Sequence, residues 1–356
     1  MKLPETIIHS TFISRTLLSA NEDERSVYLI KLSLPEDIQY HFEPGDIVFV
    51  YPENNPDLVA RTLSLLQVQA DANIEDADGQ RYSLEEALSK HYELRLKSSL
   101  LEQFPEEKCD DFWFCLEGLR TQKGASFEAK DVLSWLRPMR PRAYSIASAK
   151  VQLPNAVELV VGLASFSGSD GEICEGLSSG FLCRRLQAGQ ALNIYIKPSK
   201  FRLPEDSDLP VIMVGPGTGI APFKAFLEYR AMTKATGANW LFCGGRHRAN
   251  DFVLKTFLEE LQERKVLTRI DTAFSRDQDY KIYVQDRMRE NSKLLWEWFQ
   301  QGAYFYICGD AKHMAKDVEA ALLDIIQKEG QLSLEEDAQQ YLKNLRLAGR
   351  YQKDVY

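Results

Sequence analysis

Apolar and polar positions follow two rhythms that change near Pro204. Before it, short alternating or β-branched runs are bounded by turn residues. Ser26–Ser33 (SVYLIKLS) alternates, Asp46–Tyr51 (DIVFVY) lies between Pro44-Gly45 and Pro52, and Val157–Gly162 and Ala191–Ile196 are further runs of this kind. Strands without long intervening helices predict a barrel or sandwich. Ser83-Leu-Glu-Glu86 has the form of a capping box opening a short helix through His91, and Asp131–Leu136 reads as another turn or two of helix. Residues 53–137 are therefore expected to be a partly helical insertion in an all-β domain.

After Pro204 apolar runs alternate with amphipathic ones. Pro210–Val214, Trp240–Cys243, Leu267–Phe274 and Tyr304–Cys308 read as buried strands. Phe223–Thr233, Asp251–Glu263, Lys293–Gln300 and Lys312–Lys328 read as helices between or after them. That alternation predicts βαβ units and a parallel sheet. A last helix is expected from the box Ser333-Leu-Glu-Glu336 to Gly349. With 356 residues, two domains are expected, 1–204 and 205–356.

Composition narrows the function. Apolar residues are 44% and charged residues 27%, the make-up of a chain with a full core. The 52 acidic against 43 basic residues give a net charge of −9, which argues against general nucleic-acid binding. No run approaches 18 apolar residues, so no membrane span is expected. Met1–Ser10 lacks the layout of a secretory signal, and a cytoplasmic location is expected. The six cysteines (Cys109, Cys115, Cys174, Cys183, Cys243, Cys308) form no C-x-x-C pair and the five histidines no i, i+4 pair. No zinc, iron–sulfur or other metal site is expected, and most cysteines should be small buried apolar groups.

Four segments carry candidate chemistry. Gly215-Pro-Gly-Thr-Gly-Ile-Ala-Pro222 lies between a buried strand and a helix. Gly217, Thr218 and their neighbours there suit either a phosphate cradle at a helix N-terminus or a purely structural turn. Ser275 and Arg276 end the third strand, with Lys281, Tyr283 and Gln285 close behind; the set fits a ribose 2′-phosphate, or is a solvated basic turn. Arg142-Ala143-Tyr144-Ser145 offers a phosphate partner, a stacking ring and a donor, or is surface alternation. Gly176-Leu177-Ser178-Ser179-Gly180 opens a short helix that again presents N–H groups to a pyrophosphate. The ending Arg350–Tyr356 reads from pattern alone as a fraying tail.

In combination and order, PRAYSIASA (141–149), FRLP (201–204), VIMVGPGTGIAPF (211–223), LTRIDTAFSRDQ (267–278), KIYVQD (281–286), ICGDAKHMAKDV (307–318) and RYQKDVY (350–356) resemble the FAD- and NADPH-binding half of the diflavin reductases. These belong to the ferredoxin–NADP⁺ reductase superfamily; within it the flavoprotein components of bacterial NADPH-dependent sulfite reductases are the nearest likeness. The resemblance implies a Greek-key antiparallel FAD-binding barrel with a helical connecting insertion, then a parallel-sheet NADP-binding α/β domain. It implies FAD held by Arg142, Ala143, Tyr144, Ser145, Val160, Val161, Gly162, Gly176, Leu177, Ser178 and Ser179, with Tyr356 covering the flavin ring. NADPH/NADP⁺ would be held by Gly217, Thr218, Ser275, Arg276, Lys281, Tyr283, Gln285 and Asp317. Ser145, Cys308 and Asp354 would surround the hydride path, Cys308 as an ordinary thiol rather than a nucleophile.

Some features depart from the pattern. Phe166 stands where relatives place a tyrosine, 243–251 matches its counterpart loosely, and the insertion is shorter. Nothing resembling a flavodoxin-type FMN domain precedes Met1, so one flavin is expected. The implied activity is hydride transfer from NADPH to FAD and single-electron delivery to a separate carrier, a flavodoxin or FMN-domain protein, or to a haemoprotein. A sulfite reductase flavoprotein-type subunit working in a complex, and a non-catalytic flavin-loaded subunit or redox sensor, are the alternatives. Residues 137–202 hold nine basic and four acidic residues, a local excess suited to steering an acidic carrier or to neutralising FAD phosphates.

Overall fold

The computed structural model describes residues 7–20, 25–36, 40–75, 79–104, 112–124, 128–167 and 173–356. Cys109 lies outside them.

The first strands are β1 (Ile8–Leu17), β2 (Val27–Ser33) and β3 (Ile47–Val50). In β2 every second side chain, Tyr28, Ile30 and Leu32, is buried, as alternation requires. The insertion follows. Helix α1 (Pro56–Leu66) starts on Asn55, whose Oδ1 accepts from the Asp57 amide at 3.0 Å. A hairpin β4 (Asn73–Glu75)–β5 (Arg81–Ser83) leads into α2 (Leu84–Glu86). The expected cap is present there: Ser83 Oγ accepts from the Glu86 amide at 3.1 Å, and a wider π-type turn carries the helix through His91. Then come β6 (Tyr92–Leu96), α3 (Ser98–Leu101), α4 (Phe112–Lys123), α5 (Ala129–Trp135) and β7 (Leu136–Pro138). Leu84, Leu88, Cys115, Leu116, Val132 and Leu136 form the centre of this region's own apolar core.

The chain continues as β8 (Arg142–Ser145), β9 (Ala156–Gly162), β10 (Ser165–Ser167), β11 (Ile173–Glu175), α6 (Leu177–Gly180) and β12 (Ala191–Lys197). Six strands share one sheet in the order β8-β3-β12-β1-β2-β9. Within it β2 pairs antiparallel with β1 and with β9. Ile146, directly after β8, bridges to Leu159 of β9, and the two ends of the strand order thereby meet. This is the closed antiparallel sheet expected of a barrel, with sequence-distant strands as neighbours.

The second half holds β13 (Val211–Val214), α7 (Ala221–Thr233), β14 (Asn239–Gly245), α8 (Arg248–Asp251), α9 (Lys255–Glu263), β15 (Arg269–Phe274), α10 (Val284–Glu290), α11 (Ser292–Gln300), β16 (Tyr304–Gly309), α12 (Met314–Glu329), α13 (Glu335–Leu347) and β17 (Tyr351–Val355). Its five strands are all parallel, in the order β15-β14-β13-β16-β17. All four residues of β13 are buried, the signature of a central strand covered on both faces.

Three expectations are corrected. The helix expected over Asp251–Glu263 starts only at Lys255, because Leu254 takes a left-handed φ of 60°; Asp251 instead ends the separate short helix α8. Ser333 does not cap α13; Leu334 occupies the cap position without a side-chain bond, and Glu335, Glu336 and Asp337 meet the helix dipole instead. Residues 351–355 are a β-strand rather than a fraying tail.

The chain divides into two compact units. One comprises Met1–His9, Phe49–Ala143 and Leu163–Tyr195; the other comprises Ser10–Val48, Tyr144–Gly162 and Ile196–Tyr356. No helix of the described residues is long and apolar enough to cross a membrane.

Candidate functional site

In a parallel sheet a ligand crevice is expected beyond the strand C-termini, where the order reverses direction. That point here is the gap between β13 and β16, since the connections from β13 run first to β14 on one side and later to β16 on the other. Two loops end there, Gly215–Ile220 and the turn after Gly309.

The first loop is shaped by close backbone approach. A Cβ on Gly219 would lie 2.2 Å from the Cys308 carbonyl oxygen, so only glycine lets these segments meet. Gly217 has a left-handed φ of 58°. Gly217–Ile220 makes one 3₁₀ turn and α7 begins at Ala221, with Pro222 in its first turn as expected.

Beside this loop stand three side chains from distant parts of the sequence. Ser145 Oγ donates to Asp354 Oδ2 at 2.6 Å, and Cys308 Sγ lies 3.9 Å from the same oxygen. Cys308 and Asp354 are ladder partners of β16 and β17. Burial first, and then the Asp354 carboxylate, push the Cys308 thiol well above its ordinary range. It is a neutral S–H at working pH, a weak donor rather than a nucleophile. Tyr356 follows on β17: its amide donates to the Gly309 carbonyl at 3.1 Å, and its hydroxyl is 2.9 Å from Thr218 Oγ1. The residue remains 66% exposed, so its ring is accessible. Gly162 ends β9 within reach of Thr218, whose Cγ2 would be 3.2 Å from a Cβ placed there.

The cationic group lies at the ends of β14 and β15. The Ser275 amide donates to the Gly245 carbonyl and the Arg276 amide to that of Arg246, at 3.0 and 2.8 Å. Arg276 and Lys281 form no ion pair among the described residues, and both are exposed. Tyr283 sits at the start of α10, and buried Gln285 donates to Asp317 Oδ2 at 3.4 Å. One residue outside the expected set joins them. Arg246 has an Nη1 that is buried with no hydrogen-bond partner among the described residues, while its carbonyl holds Arg276. Its place directly after the Gly244-Gly245 pair was the only signal available in the sequence.

Residues 213–320 match the family described as the oxidoreductase NAD-binding domain. The chain is 40% identical, over 95% of its length, to the sulfite reductase [NADPH] flavoprotein alpha-component of Photorhabdus laumondii. It is 39% identical over the same share to the proteins of that name from Yersinia pestis and Yersinia enterocolitica. The chain is similar to those flavoproteins over nearly its whole length. It spans 59%, 58% and 59% of their respective lengths, about three fifths.

The other expected flavoprotein residues lie in the unit that contains the insertion. Arg142 donates to Glu93 Oε1 at 2.9 Å and to the Arg140 carbonyl at 2.7 Å. Glu93 is a partner that the sequence did not announce. Gly176 stands at the start of α6, its amide held by the Ala164 carbonyl at 2.7 Å; Ser179 Oγ accepts from the Ala164 amide at 3.1 Å. Leu177 is fixed through its carbonyl, which accepts from Arg185 at 3.0 Å. The expected helix thus forms, as α6 followed by a π-type turn over Phe181–Arg185. Phe166 is 59% exposed and offers no polar side-chain atom.

Proposed function

We propose that this chain is an NADPH-dependent FAD flavoprotein reductase, which takes hydride from NADPH onto FAD and passes single electrons to a separate carrier or haemoprotein. The observation that carries the reading is the convergence of Ser145 and Cys308 on one carboxylate oxygen of Asp354, beside the Thr218–Tyr356 pair. FAD, when bound, accepts two electrons together and releases them one at a time.

The residues fit such a group. Tyr144 and exposed Tyr356 supply ring surface for stacking, and Ser145 supplies a hydroxyl next to Tyr144. Val160–Gly162 supplies main-chain groups at a strand end. In the other unit we assign Arg142, Ala143 and Gly176–Ser179 to FAD, the latter through amides at the start of α6. For NADPH we assign Gly217 and Thr218 in the glycine loop, and Ser275, Arg276, Lys281, Tyr283, Gln285 and Asp317 at the adenosine end. The free guanidinium and ammonium there favour a 2′-phosphate over a bare ribose. We assign Asp354 the role of favouring a developing positive ring, and Ser145 and Cys308 that of orienting a carboxamide by hydrogen bonds. We further propose 1–204 as the FAD-binding part, with the insertion at 53–137, and 205–356 as the NADP-binding part.

Anaerobic titration of the purified protein with NADPH tests this, followed by flavodoxin, an isolated FMN domain or a haemoprotein. The expected result is a yellow protein bleached by about one equivalent and reoxidised by one of these acceptors. A colourless preparation, or a yellow one left unbleached, refutes it. The relatives' description as an alpha-component supports a second form of the same reading, a flavoprotein-type subunit acting in a complex. That form is tested by reconstitution with a sulfite-reducing haemoprotein.

A further inference from the structure

Strand β17 turns its side chains alternately to two sides, and both sides are tied. On one, Tyr351 Oη and Lys353 Nζ donate to Glu319 Oε2 of α12 at 2.5 and 2.8 Å. Arg346 of α13 lies 2.7 Å from Glu319 Oε1 and also stacks over the Tyr351 ring. On the other, Gln352 exchanges two hydrogen bonds with the Arg202 main chain, at 2.8 and 3.0 Å. That second side is also where Asp354 accepts from Ser145.

β17 is five residues long, lies at the sheet edge and has a single ladder, to β16. Such a strand is weakly registered by its backbone alone, and a slip of one residue would turn Asp354 to the opposite side. Glu319 opposes that slip, because its two oxygens bind three cationic or hydroxyl groups at fixed positions along the chain. Burial raises its carboxyl, but the bonds from Lys353, Tyr351 and Arg346 prevail and hold it at about 2, so it is ionised at any working pH.

We propose that Glu319 is a positioning residue: it fixes the register of β17 that directs Asp354 to Ser145 and Cys308, and so sets how the nicotinamide end of the cofactor is received. The second half of this rests on the function proposed above. The test uses the flavin-loaded protein with E319A, E319Q, Y356S and the E319A/Y356S double variant. It reads hydrogen–deuterium exchange, then kcat and KM with NADPH and NADH. E319A should speed exchange across 351–355 roughly tenfold or more, since each lost charge-assisted bond is worth about that factor, and E319Q should give a smaller increase. kcat with NADPH should fall more than KM rises. E319A and Y356S should narrow the NADPH preference in the same direction, with less than multiplicative effects together.

A lowered Tm with unchanged exchange at 351–355 would make Glu319 a packing residue and overturn the proposal. Faster exchange with wild-type kinetics would overturn its second half. Failure of NADPH to bleach the unsubstituted protein would refute the proposed function instead, and the exchange measurement needs no turnover.

Discussion

Arg276→Ala isolates the adenosine end of the proposed cofactor site. Its backbone is held by the bond from its amide to the Arg246 carbonyl, 2.8 Å, and that bond survives the substitution. The guanidinium forms no ion pair among the described residues, so removing it strands no carboxylate. The folded state should therefore lose no more than about 0.5 kcal/mol. A charge-assisted bond to a phosphate contributes roughly 1.5–3 kcal/mol. At about 1.4 kcal/mol per factor of ten, kcat/KM for NADPH should drop roughly 10- to 150-fold. NADH lacks the 2′-phosphate and should change by less than about twofold. Because the residue is exposed, raising ionic strength should shrink the wild-type advantage of NADPH as well. The assay is steady-state reduction of an artificial one-electron acceptor with each nucleotide, alongside a thermal melt. Equal losses with NADPH and NADH, or a large fall in Tm, would show that Arg276 supports the loop rather than a phosphate.

Further outcomes follow from the same geometry. Gly219→Ala puts a Cβ 2.2 Å from the Cys308 carbonyl oxygen and should cost about 1–3 kcal/mol or more in urea unfolding; an unchanged midpoint would mean that the two segments do not meet as described. Cys308, fully buried with a raised thiol, should resist iodoacetamide at pH 8 until the protein unfolds; rapid alkylation of the native protein, located by peptide mass, would contradict its burial. For Glu319 the folded pKa, about 2, lies below the ordinary value of 4.5, so its contribution is complete above pH 4.5 and lost as pH falls towards 2. The Tm gap between wild type and E319Q should narrow over that interval, and a gap independent of pH would exclude the linkage.

Regular periodicity made much of this fold legible. The alternation of β2, the unbroken apolar run of β13 and the glycine loop before α7 report local physics, and the elements sit where that physics puts them. β1 was not apparent because His9, Ser10, Thr11 and Ser14 interrupt its pattern. Pairing with β2 supplies what its composition does not. β17 was illegible for a stronger reason. Nothing within Tyr351–Tyr356 says strand more loudly than tail, and the groups that order it, Glu319 and Arg202, lie 32 and 150 positions from their partners Tyr351 and Gln352. At the site, resemblance singled out Ser145, Cys308 and Asp354, whose contacts no spacing rule reaches. Arg142 was readable as a cation, but its engagement with Glu93, 49 positions away, was not.

Ser145 and Asp354 are separated by 209 positions. At a translation speed of about 5–20 residues per second, roughly 10–40 s pass between the synthesis of the hydroxyl and that of the carboxylate that receives it. During that interval a growing chain can assemble most of its β and βαβ layers, yet the bond between Ser145 and Asp354 has no partner to form with. Premature termination between residues 310 and 350 would leave the four strands β13–β16 without the last one, and with it a chain missing Asp354.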